Sequence, residues 1–109
     1  MLDRIAKQRL NVILLVDCST SMRGERITQV NNALRDIKTH LIDMEKDNTN
    51  VDFYLTVITF STDARFLNDD RMKSVDEFNF KNITAGGWSN LHCAYAKLDE
   101  ILAKESKGG

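Results

Sequence analysis

The chain has 109 residues, 42% of them hydrophobic and 28% charged, which is enough for one globular domain burying roughly 65% of its unfolded surface. Fifteen basic and sixteen acidic residues leave a net charge of −1, and no basic block stands out, which argues against binding to nucleic acid or a membrane surface. No apolar run reaches membrane-spanning length and the first ten residues hold no signal-peptide core, so a cytoplasmic location is expected. Cys18 and Cys93 form no CxxC pair; two reduced thiols are expected, and a thiolate zinc site is not.

Residues 1–10 are mixed and charged and read as a lead-in to the first strand. Residues 12–16, Val-Ile-Leu-Leu-Val, are apolar at every position, the pattern of a parallel strand covered by helices on both faces. The run ends at Asp17, and Gly24 precedes a helical pattern. From 25 to about 45, apolar residues recur at Ile27, Val30, Leu34, Ile37, Leu41 and Met44, the stripe of an amphipathic helix whose wet side carries Gln29, Asn32, Arg35, Asp36, Lys38 and His40. A polar break at 46–50 leads into a second strand over 51–60, completing a βαβ unit with a right-handed crossover. A turn at 61–63 feeds a short antiparallel edge strand over 64–67, ended by Asn68-Asp69-Asp70. Ser74-Val-Asp-Glu77 matches a capping box and predicts one helical turn. Phe78 and Phe80 are expected to plug the core below it. A second glycine loop, Thr84-Ala-Gly-Gly-Trp-Ser-Asn90, opens a last helix with Leu91, Ala94, Tyr95, Leu98, Ile101 and Leu102 on its apolar face and His92 in its first turn. Residues 104–109 are a polar end.

Asp17, Ser19 and Ser21 place one carboxylate and two hydroxyls at alternate positions after a strand, where open α/β sheets bind ligands. Such hard oxygen donors suit Mg2+ or Mn2+. The same residues before a helix also serve simply as N-caps, so the spacing alone is a weak signal. One anionic ligand under-neutralises a dication, which would then recruit a carboxylate from a partner. A cysteine-dependent phosphatase is the enzymatic alternative, since Cys18 and Arg23 flank the same loop. Such loops need five residues between the two, whereas four lie here, and the glycines that would cradle a phosphate are missing.

Val16-Asp-Cys-Ser-Thr-Ser-Met-Arg-Gly-Glu25 resembles the first motif of a von Willebrand factor type A domain. Val57-Ile-Thr-Phe-Ser61, Ala64-Arg65 and Thr84-Ala-Gly-Gly-Trp-Ser-Asn-Leu91 follow in that family's order, over a core of about residues 9–104. The phrasing is closest to the bacterial, tellurite-resistance-associated branch. The resemblance implies a Rossmann-like α/β fold with helices on both faces and a non-enzymatic metal-ion-dependent adhesion site. Its ligands would be Asp17, Ser19, Ser21 and Ser89, the last standing where the family has threonine. It also implies a protein partner that presents Asp or Glu, in a metal or tellurite stress response. The family's sheet runs 3-2-1-4-5-6, and only strands 3, 2 and 1 are expected here, with strand 3 antiparallel at the edge and strands 4–6 missing. The metal should then bind weakly, because the acidic group after strand 4 is lacking. Strand 1 would be an open edge, covered by a second copy in a homodimer or by a donated strand. The alternative is a degenerate, truncated domain that binds no metal and self-associates through that edge.

Overall fold

Apolar residues on both sides of two strands require cover on both sheet faces, and the computed structural model, which describes residues 8–68 and 71–108, supplies it with two helices. The order is β1 (Gln8–Asp17), a 3-10 turn (Thr20–Met22), α1 (Glu25–Asp47), β2 (Val51–Phe60), β3 (Ala64–Phe66), β4 (Lys73–Ser74) and α2 (Leu91–Gly108). The sheet is mixed. β2 lies between β1, with which it is parallel, and the antiparallel β3 and β4. The expected lead-in at 1–7, together with Asp69, Asp70 and Gly109, falls outside the described residues.

The pleat assigns each helix to a face, because paired residues of neighbouring strands point the same way. Val12 pairs with Leu55 and Leu14 with Val57. These residues, with Phe53 and Val16, pack against Leu41 and Ile42 of α1. On the opposite face Ile13 pairs with Thr56, Leu15 with Ile58, and Ile58 with Phe66. Here α2 seats its buried Ala94 and Ile101, sets Lys97 Nζ 5.4 Å from the Phe66 ring centre, and pairs Glu105 with Arg9. Arg9 also lies over the Tyr54 ring on this face, 3.9 Å from its centre. Phe78 is buried beside Phe80, their ring centres 4.8 Å apart.

One local expectation is met and others are corrected. The single turn expected at Ser74 is present: the N–H groups of Glu77 and Phe78 both bond to the Ser74 carbonyl, while Ser74 itself ends β4. Lys73 and Ser74 pair with Leu55 and Tyr54 of β2, so the turn starts directly from the sheet. The last helix continues through the polar residues after 104 to Gly108. Its apolar face is only partly used. Ala94 and Ile101 are buried, whereas Leu91 is 45% exposed and Tyr95 and Leu102 are each 50% exposed. Strand β1, apolar on both faces, is half-buried along 12–17 because it ends the sheet. Among the described residues no helix is long and apolar enough to cross a membrane.

Candidate functional site

The two parallel strands are in register over their whole length, Gln8 with Val51 through Asp17 with Phe60. Their carboxyl ends therefore stop together, and the loops after them lie side by side. The Cys18 N–H donates to the Phe60 carbonyl at 2.9 Å, and its thiol donates to the same oxygen at 3.4 Å. The thiol of Cys18 is thus turned toward the β2 backbone. Asp17 is the last residue of β1 and points to the α2 face.

Two stretches far apart in sequence meet at this carboxylate. The Ser19 backbone N–H donates to Asp17 Oδ1 at 2.8 Å, and the Ser89 hydroxyl donates to Asp17 Oδ2 at 3.2 Å. The hydroxyls of Ser19 and Ser21 lie 3.2 Å apart. All four residues named from the sequence are therefore gathered at one end of β1. Ser19 is buried, and Ser21 and Ser89 face solvent. Burial raises the pKa of Asp17, but the Ser19 N–H and the Ser19 and Ser89 hydroxyls outweigh it and hold the carboxyl below its ordinary value of 3.8. The group is ionised at neutral pH.

The second loop is held in place by residues whose role the sequence pattern does not announce. Thr20 donates through its N–H and its hydroxyl to the Gly87 carbonyl, at 2.9 and 3.0 Å, and the Gly86 N–H donates to the Cys18 carbonyl at 2.8 Å. Gly87 has φ +84, and a Cβ there would lie 2.8 Å from Thr62 Oγ1, so glycine is required both by backbone conformation and by space. Thr62 Oγ1 accepts the Trp88 N–H at 3.0 Å, and the Thr62 carbonyl accepts from Cys93 Sγ at 3.6 Å. Below the loop Asn31 of α1 clasps the backbone of buried Ile83: its amide donates to the carbonyl at 3.0 Å and its Oδ1 accepts the N–H at 2.8 Å. The only clue to Thr62 is that register ends both strands together. Asn31, half-buried on α1, belongs neither to the apolar stripe nor to the wet-side residues, so the periodicity gives it no role. Trp88 is 82% exposed beside Ser89.

Chemically this is a set of hard oxygens with a single negative charge. Carboxylate and hydroxyl donors fit a hard cation such as Mg2+ or Mn2+ in kind, and they lack the thiolate and imidazole groups that softer metals favour. Among the described residues there is no group of three or more His, Cys, Asp or Glu side chains placed to hold a metal. Any cation here would therefore rely on neutral donors for most of its protein contacts. No protein-family model and no curated protein matches the chain.

Proposed function

We propose that this chain is the first part of a von Willebrand A-type domain and acts as a non-enzymatic binding module. It would capture an acidic side chain of a protein partner through a weakly held Mg2+ or Mn2+. The observation that carries the reading is the convergence of Ser89 on Asp17 at 3.2 Å, next to the paired hydroxyls of Ser19 and Ser21. In this reading Asp17, Ser19, Ser21 and Ser89 hold the cation. When bound, it supplies positive charge that the single Asp17 carboxylate leaves uncompensated, and this attracts an anionic ligand. The start of the 23-residue helix α1 just after Gly24 adds a further partial positive charge. Exposed Trp88 offers an apolar contact to whatever carries that ligand. The resemblance to the tellurite-resistance branch suggests a metal-stress setting.

A second reading is a domain that keeps the fold without the metal. It is favoured by the scarcity of carboxylates and by the hydrogen bonds the candidate ligands already make to one another. Capture of a glutamate-rich peptide by the immobilised chain separates the two. The first reading expects binding in Mg2+ that is lost in chelator, lost to a glutamine-rich control peptide, and lost on Asp17→Ala. Equal capture with and without divalent cation rules it out.

A further inference from the structure

The peptide unit between Gly87 and Trp88 is held at both edges. Its carbonyl accepts the Thr20 N–H and hydroxyl at 2.9 and 3.0 Å, and its N–H donates to Thr62 Oγ1 at 3.0 Å. A peptide unit is a rigid plate. Anchored at the carbonyl alone, it can still roll about that anchor, and Gly87, lacking a Cβ, sets little steric limit on the roll. An anchor on the opposite edge removes this freedom. Thr20 follows Ser19 in the 3-10 turn, so its two bonds tie the plate to the loop of the candidate ligands themselves. Thr62 lies in the turn between β2 and β3, so the tilt of the plate is set from a different element. Ser89 follows the plate directly, and the 82% exposed ring of Trp88 does little to hold the chain there. The Thr62 carbonyl also lies 3.5 Å from Asn90 Nδ2 and 3.6 Å from Cys93 Sγ. One residue thus addresses the chain on both sides of Ser89.

We propose that Thr62 is a positioning residue of the candidate site, its hydroxyl directing Ser89 toward Asp17 through the Trp88 N–H. This role rests on the reading of Asp17, Ser19, Ser21 and Ser89 as one cation site, and it adds a residue that acts on the site only through Ser89. Ser89 depends on such support. Its hydroxyl meets Asp17 in a single 3.2 Å bond at the surface, and serine lacks the second Cβ substituent that restricts χ1 in threonine. A ligand hydroxyl carried by a loop is only as well placed as the backbone beneath it. Groups that orient metal ligands from behind typically contribute tenfold or more to affinity. Thr62 and Trp88 both face solvent. Water can therefore replace their bond at little cost in stability, but water imposes no direction on the plate.

Thr62→Val keeps the branched shape and removes the acceptor, whereas Thr62→Ser keeps the acceptor; Thr62→Ala takes the place of the valine if that variant fails to fold. Two measurements on the full chain test the role. In chelator, the 15N order parameter of the Ser89 amide should lie in the rigid range for the parent and for Thr62→Ser, and fall below about 0.6 in Thr62→Val. In calorimetric titration with Mn2+, Thr62→Val should bind about tenfold more weakly than the parent, and Thr62→Ser within about twofold of it. Thr62→Val combined with Ser89→Ala should bind no more weakly than Ser89→Ala alone, because nothing is left to position. A parent that binds no Mn2+ removes the proposed cation site, and the order parameters, which need no cation, then decide whether Thr62 places Ser89. A parent Ser89 already in the flexible range, a Ser89 amide as rigid in Thr62→Val as in the parent, or losses of affinity that multiply in the double variant would each overturn the proposal.

Discussion

Replacing Gly87 with alanine tests whether the second loop is built as described. The residue has φ +84, a region that costs an L-residue about 1–2 kcal/mol. Its new Cβ would sit 2.8 Å from Thr62 Oγ1 and 3.3 Å from Ser61 Oγ. Thr62 can move only by giving up the Trp88 N–H, a hydrogen bond worth about 1 kcal/mol. The sum is a destabilisation of about 2–3 kcal/mol, to be read from urea unfolding followed by far-UV dichroism. Gly86→Ala is the control, because a Cβ there meets nothing within 4 Å and its φ is not positive; it should lie within about 0.5 kcal/mol of the parent or slightly above it. Combining Gly87→Ala with Thr62→Ala removes the collision but not the backbone cost. The double variant should thus be less damaged than the two single changes added together, by about 1 kcal/mol. A Gly87→Ala chain as stable as Gly86→Ala, or strict additivity with Thr62→Ala, would refute the reasoning.

Asn31→Ala strips both hydrogen bonds from the buried Ile83 backbone; it should cost about 2–3 kcal/mol and abolish hydrogen-exchange protection of the Ile83 amide. Asp17 has its pKa lowered on folding, so its contribution to stability is full above the unfolded value and is lost as pH falls through the folded one. That places the loss below about pH 4. Ser89→Ala should raise the Asp17 pKa, observable by carboxyl NMR titration, and an unmoved titration would remove Ser89 from the site. Trp88→Ala should change stability by less than about 0.5 kcal/mol, since the ring is 82% exposed. Full accessibility of its fluorescence to iodide in the parent chain checks the same point.

The sequence announces β2 over 51–60 because an apolar, β-branched run flanked by polar breaks admits few other readings, and the structure has it at Val51–Phe60. Helix α1 is equally legible from its stripe, although only Leu34 of that stripe is fully buried. Asp17, Ser19 and Ser21 could be named from their alternate spacing after an apolar strand, but Ser89 only because its loop resembles a family motif; hydroxyl spacing alone cannot say that Ser89 reaches Asp17 from 72 positions away. What remained illegible depends on tertiary context. Apolar periodicity marks Leu91, Tyr95 and Leu102 as core-facing, yet burial needs a neighbouring layer, and none of the described residues supplies one on that flank. β4 is two residues long, too short for any periodicity to reveal it. Asn31 and Thr62 act through backbone groups of distant loops, which leaves no local trace.

Calorimetric titration of the chain with Mg2+ and with Mn2+, beside Asp17→Ala and Ser89→Ala, bears most directly on the proposed site. The account predicts weak one-to-one binding to the parent chain, further weakened by Ser89→Ala and abolished by Asp17→Ala. Identical heats for the parent and Asp17→Ala would contradict it.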